Sequence, residues 1–123
     1  TAEELGGADT HTKLSSVADG AFDNDLQALS EVRRLVGYLP ANNTDSAASA
    51  DAIDDPKRTV TALDSLIPDS PNLPYDMNEL VISIADEGRF FEIQPDFAKN
   101  ILIGFVRMNG ATVGVLWRAG LAD

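Results

Sequence analysis

Apolar residues between positions 22 and 39 follow a helical rhythm. Phe22, Leu26, Leu29, Val32, Val36 and Leu39 recur every three or four residues, so they share one face of a helix. Asp23 or Asn24 is the expected N-cap of this helix. Arg33 and Arg34 sit in its later half, where cations suit the helix dipole, and Pro40 stops it. A second helical pattern comes later. Met77, Leu80, Val81 and Ile84 form an apolar face, Asp76 stands as N-cap with Glu79 three residues on, and Gly88 is the expected C-terminal cap. The pattern then becomes that of strands. Residues 90–93 predict a short strand, and 101–106 are apolar on both faces, as in a buried strand. Asn109-Gly110 predicts a tight hairpin turn, with 113–117 returning.

Between these patterned stretches the chain changes character. "ANNTDSAASADAIDDPKRT", residues 41–59, is small, polar and acidic, and is predicted to be a mobile linker between two structural units. Residues 1–20 read as a loop with at most one helical turn, with the permissive pair Gly6-Gly7 inside it. The fold class is α/β overall and α+β within this stretch: amphipathic helix, linker, then helix, strand and β-hairpin.

Composition narrows the function. A formal charge of −11 argues against nucleic acid or an anionic membrane as partner. The absence of cysteine removes disulfides, thiolate metal sites and a cysteine nucleophile, and fits a reducing cytoplasm. No stretch is long and apolar enough to span a membrane.

Individual residues point only weakly to chemistry. His11, the single histidine, has Asp9 nearby and is a candidate base, with a plain surface role as the simpler reading. One histidine makes no multi-histidine metal site. Ser15 and Ser16 lack the strand–turn–helix setting of a nucleophile elbow. Asp54 and Asp55 read as solvated loop charges. In "GRFFEI" the two aromatics read as the start of a buried strand or as an apolar binding feature.

Longer phrases are more specific. "TAEELGGADTHTKLSSVADGAFDNDLQAL", "VRRLVGYLPANN", "PYDM", "FFEIQP", "FAKNI" and "GFVRMNG", in that order, resemble the carboxyltransferase β subunits of biotin-dependent acyl-CoA carboxylases. The likeness runs from Thr1 to about Val115. It is strongest to the propionyl-CoA carboxylase beta chain, with methylmalonyl-CoA decarboxylases and transcarboxylases beside it. The resemblance implies a partial crotonase-like fold. Residues 1–40 would end the N-terminal half, 41–59 would link, and 60–123 would open the C-terminal half, with a divergent tail from about 116. It implies carboxyl transfer from carboxybiotin, borne on a partner carrier, to an acyl-CoA, without a metal or a catalytic side chain from this stretch. Partners implied are a second copy of the subunit in a dimer and a biotin carboxylase or biotin carrier subunit. The alternative is an acyl-CoA-binding or structural module derived from that fold.

By resemblance, Gly6, Gly7 and Ala8 lie in a loop near the acyl-CoA and biotin cleft. Phe90, Phe91, Phe97, Lys99 and Asn100 fall within the acyl-CoA-binding region, residues 89–107. Two local departures stand out. Ser16 occupies a position where the family usually has glycine, and after Val115 the sequence "LWRAGLAD" replaces the usual Asn-Gln-Pro phrase.

The glycine-rich oxyanion turns of the family lie outside the matched stretch on either side, as expected of an internal segment. Loss of one such donor costs about two to three orders of magnitude in rate. The purified chain is therefore expected to show no transcarboxylation between free biotin, a malonyl-type CoA donor and an acyl-CoA acceptor. Turnover above the protein-free rate that substitution of Gly6 or Gly7 abolishes would contradict this.

Overall fold

The structure, a computed structural model, describes residues 1–70, 73 and 75–118. Its centre is a three-stranded antiparallel sheet in the order β1–β2–β3, with β1 at Phe90–Ile93, β2 at Ile101–Met108 and β3 at Ala111–Arg118. The expected hairpin is present. Asn109 and Gly110 both take positive φ, 51° and 78°, the geometry of a two-residue turn whose twist matches the strands. Register follows from it: Met108 faces Ala111, and Val106 faces both Val113 and Phe90.

Among the described residues, four α-helices precede the sheet. They are α1 (Ala2–Gly6), α2 (Asp25–Val36), α3 (Leu63–Leu66) and α4 (Met77–Ile84). Helix α2 is shorter at both ends than the 22–39 periodicity suggests. The Asn24 side chain accepts from the Gln27 N–H at 2.9 Å and starts it there, while Tyr38 and Leu39 continue as tight turns past Gly37. Residues 1–20 are more ordered than expected, because Thr1 caps α1 and a π-helical turn follows at Thr10–Leu14. Helix α4 opens with Asp76 accepting from the Asn78 N–H at 2.9 Å. It does not run to Gly88. It ends at Ile84, and Gly88, at φ 63°, closes the 3-10 turn Asp86–Gly88.

The two faces of the sheet have different partners. Met77, Val81 and Ala85 of α4 pack on Leu102 and Val106, with Phe90, Val113 and Val115 around them, and this is the core. Alternation along β2 puts Phe105 and Arg107 on the opposite face. Tyr38, 6% exposed, packs there against Phe91 and Phe105 at centroid distances of 6.0 and 5.9 Å. Arg34 lies 5.3 Å over the Phe91 ring and Arg107 lies 4.8 Å over Tyr38, so cations and aromatic rings alternate where α2 meets the sheet. Strand β2 is thus apolar on both sides because each side has a neighbour. At its middle, Gly104 has no room for a side chain. A Cβ there would overlap the Phe91 carbonyl oxygen and the Phe90 ring.

The outer face of α2 is open. Leu26, Leu29, Val32 and Val36 are 54–81% exposed. The stretch 41–59 is not free along its whole length. Ala50 N–H donates to the Gly110 carbonyl at 3.0 Å, and Thr112 donates to the Ala48 carbonyl at 2.8 Å. Arg58 donates to the Ala85 and Ile84 carbonyls at 2.7 and 3.3 Å, covering the C-terminal end of α4. Asp54, read from sequence as a solvated charge, instead accepts from the Glu87 N–H at 2.7 Å. Composition left this hidden because most of these bonds use main-chain groups or partners far along the chain.

Ser16 adopts φ 56°, a left-handed conformation that L-residues with a Cβ adopt at a cost of roughly 1–2 kcal/mol. This explains why glycine suits that position. Ser16→Gly is expected to raise stability by about 1 kcal/mol or less, since glycine's extra unfolded-state freedom offsets part of the relief. Urea denaturation of the two proteins measures it; destabilisation by the glycine would show that the serine hydroxyl outweighs the backbone strain.

Candidate functional site

Two concave regions flank β1. The first is an apolar cavity of about 250 Å³ between the 19–22 loop, α2 and β1. Phe22, Val32, Leu35, Phe91, Ile93 and Pro95 line it, and Asp19, Glu31 and Asp96 bring carboxylates to its edge. Its α2 side is formed by Glu31, Val32 and Leu35, close to where Arg34 and Tyr38 join the helix end to the ring of Phe91. The second region, about 260 Å³ and more open, lies on the α4 side between Tyr75, Asp76, Asn78, Glu92, Lys99 and Leu102.

Glu92 is the titratable group that the second region perturbs. Burial raises its pKa above the ordinary glutamate value. Asp96 and Asp76 add to the rise, against a hydrogen bond from Asn78 and the charge of Lys99. Its cross-strand neighbour is Gly104, so no opposing side chain covers the carboxylate on that strand.

The residues singled out from sequence do not gather at one place. Gly6 ends α1, and Gly7 follows in extended backbone with its N–H already given to the Glu3 carbonyl at 2.8 Å. The Glu3 carboxylate lies against the bare α-carbon of Gly7 and accepts from the Asp9 N–H at 3.0 Å. The Glu3 carboxylate thus fills the space beside Gly7. The Ala8 carbonyl accepts from the Thr12 hydroxyl at 2.8 Å. Phe91 lines the apolar cavity, whereas Phe90 faces α4 and packs on the core. Phe97 is half-buried in the loop after β1, and its N–H donates to the Gln94 carbonyl at 3.1 Å. Lys99 is exposed at the second cavity, 3.9 Å from Asp96, and Asn100 is exposed beyond it.

Asp9 pairs with Lys13 at 2.8 Å and makes no base with His11. His11 Nδ1 lies instead 3.2 Å from the Ser15 hydroxyl, a pairing that the i, i+4 spacing allows on a π-helical turn and that sequence reading missed. No hydrogen bond orients the other ring nitrogen among the described residues, so the pair stops short of a nucleophile with an oriented base. Among the described residues no group of three or more histidine, aspartate or glutamate side chains is arranged to hold a metal, and no helix is long and apolar enough to cross a membrane.

The sequence profile of the carboxyl transferase domain matches residues 1–119. The chain belongs to that family. It is 60% identical over 116 residues to the propionyl-CoA carboxylase beta chain of Roseobacter denitrificans, covering 94% of this chain and 23% of that protein. The human mitochondrial propionyl-CoA carboxylase beta chain is 47% identical over 116 residues, covering 94% and 22%. Among solved structures, transcarboxylase 12S, described as a hexamer with methylmalonyl-CoA and methylmalonic acid bound, superposes with a TM-score of 0.91 at 30% identity, covering 97% of this chain and 23% of that one. The architecture is therefore a part of the crotonase-like carboxyltransferase fold. The carboxyl transferase chain spans about a quarter of the length of the relatives it matches.

The raised pKa of Glu92 has a testable consequence. A carboxyl whose pKa is raised by folding contributes stability that is fully present below its unfolded pKa and is lost as pH rises through the folded one. Glu92→Gln is therefore expected to be more stable than the parent at neutral pH and to lose that advantage below about pH 4. Denaturant unfolding at both pH values measures this, and an unchanged difference between them would remove burial of the carboxylate as its cause.

Proposed function

We propose that this chain forms the junction between the two halves of the carboxyltransferase subunit of a biotin-dependent, propionyl-CoA-type acyl-CoA carboxylase. The observation that carries this reading is the agreement of identity and shape: 60% identity to one propionyl-CoA carboxylase beta chain and a TM-score of 0.91 to a transcarboxylase holding methylmalonyl-CoA. In this reading residues 1–40 close the N-terminal half, 41–59 cross over, and 60–123 open the C-terminal half. Residues 116–118 of the divergent tail belong to β3, and 119–123 lie outside the described residues.

In the assembled subunit, carboxyl passes from carboxybiotin on a carrier partner to the α-carbon of an acyl-CoA. The role of this chain is to shape and position. Gly6, Gly7 and Ala8 border the cleft. Phe91 offers an apolar wall, Lys99 a charge for a CoA phosphate, and Phe90, Phe97 and Asn100 the framework between them. Phe90 does so from the core side, by fixing β1 against α4. The chain supplies no catalytic side chain and no metal ligand in this scheme. In this reading its setting is the cytoplasm.

A second reading is a module that binds acyl-CoA without turning it over, or an interaction module, and the apolar cavity beside Phe91 favours it. Calorimetric titration of the chain with propionyl-CoA tests the retained binding site. Saturable heat that Phe91→Ala and Lys99→Ala weaken is expected if the cleft residues bind as assigned. No heat at millimolar ligand would remove acyl-CoA binding by this chain from the proposal.

The exposed face of α2 supports self-association. Leu26, Leu29, Val32 and Val36 form an apolar stripe there, and a two-fold dimer covers it with one contact. Light scattering over a concentration series is expected to give the mass of a dimer. A monodisperse species near 13.1 kDa at tens of micromolar protein would overturn it.

A further inference from the structure

Asn109-Gly110 is the one Asn-Gly step in the sequence. Such a step carries a chemical liability. The glycine nitrogen can attack the Asn side-chain carbonyl carbon, because the residue that follows has no Cβ to hinder it. The new N–Cγ bond closes a succinimide ring. The side-chain nitrogen leaves as ammonia, taking the proton that the glycine amide gives up. Water then opens the ring at one of its two carbonyls, leaving aspartate or isoaspartate.

The hairpin opposes each part of this attack. Asn109 is exposed, but Gly110, which holds the attacking nitrogen, is buried. The Gly110 N–H donates to Asp86 Oδ2 at 2.7 Å, and the Asn109 N–H donates to Oδ1 of the same carboxylate at 3.0 Å. Arg58 stands 4.0 Å from Oδ1, on the oxygen that Gly110 does not use. An amide that loses its proton here becomes an anion against a carboxylate, and like charges away from water repel strongly. The main chain is also held in place. The Gly110 carbonyl accepts from the Ala50 N–H at 3.0 Å, and the Ala50 carbonyl oxygen lies so close over the Gly110 α-carbon that a Cβ would be 2.0 Å from it.

We propose that Asn109 is a latent deamidation site and that the Asp86 carboxylate guards it. The reaction proceeds only from states in which the turn has lifted off Asp86. Its products oppose the return. Either one adds a negative charge to the residue whose N–H Asp86 accepts. Isoaspartate also runs the main chain through its β-carbon, which lengthens the turn that sets the β2–β3 register. The site shares no residue with those assigned to acyl-CoA.

The test incubates the full chain at mildly alkaline pH and follows conversion at residue 109 by peptide mapping. Mapping separates it from Asp19-Gly20, another step prone to isoaspartate. Asp86→Ala and Asp86→Asn are compared with the parent and with Val81→Ala, a core variant that weakens the fold and keeps the carboxylate. Urea brings all four to the same fraction folded. Conversion in Asp86→Ala is expected to exceed that in the parent by roughly 10–100-fold, the worth of a hydrogen bond to a charged group. Asp86→Asn, which keeps the shape without the charge, is expected to convert faster than the parent as well, and is the variant to read if Asp86→Ala does not fold. If neither outruns Val81→Ala, protection comes from folding in general and the guard is overturned. Slower conversion without the carboxylate would make Asp86 a base that promotes the attack, and would overturn it equally.

Discussion

The carboxylate of Asp86 organises the second half of the structure. It is 5% exposed and accepts from two successive main-chain N–H groups, Asn109 at 3.0 Å and Gly110 at 2.7 Å. Burying an ion away from water is costly unless its lone pairs are met, and here the hairpin turn meets them. Arg58 lies 4.0 Å from the same carboxylate while its guanidinium covers the last carbonyls of α4. One buried acid therefore joins the end of a helix, the tip of a hairpin and the incoming linker. Without it, the β2–β3 turn would lose two main-chain bonds to the segment that follows α4.

Packing explains why the sheet is a divider rather than an edge. Leu102 and Val106 serve α4, and Phe105 serves Tyr38. The absent side chain at Gly104 lets β1 approach closely enough for the ring of Phe90 to lie over β2. The cavity beside Phe91 opens where this close packing ends. The cavity thus lies next to a closely packed part of the sheet, at the border between a helix held by rings and cations and a strand held by hydrogen bonds.

The elements with local signals were legible in the sequence. The Asn109-Gly110 turn, the periodicity of α4 and the apolar run of β2 each depend on neighbours along the chain, and all three are found. The cap at Gly88 was misplaced because Arg58 closes α4 earlier, and an arginine 26 residues upstream has no local signature. The linker was read as free because alanine, serine and aspartate carry no packing signal, yet its backbone bonds the hairpin. The candidate site was least legible. Periodicity places Phe90 and Phe91 on opposite faces but does not say which face holds a cavity. The occupation of the Gly7 turn by Glu3 is a contact between a side chain and a bare α-carbon that glycine permits and no motif reveals. The family was legible because long phrases in fixed order carry more information than any single residue.

Ser16 and Gln94 are 78 positions apart, and both hold φ 56°. Each is bonded to the other's surroundings. Gln94 N–H donates to the Asp19 carbonyl at 2.9 Å, and its side-chain amide donates to the Ser16 carbonyl and to the Asp19 carboxylate, each at 3.2 Å. Each left-handed residue sits beside bonds that reach across these 78 positions. The loop at 16–19 and the end of β1 are thus fastened to each other, and both contribute to the wall of the apolar cavity, through Asp19 on one side and Ile93 and Pro95 on the other.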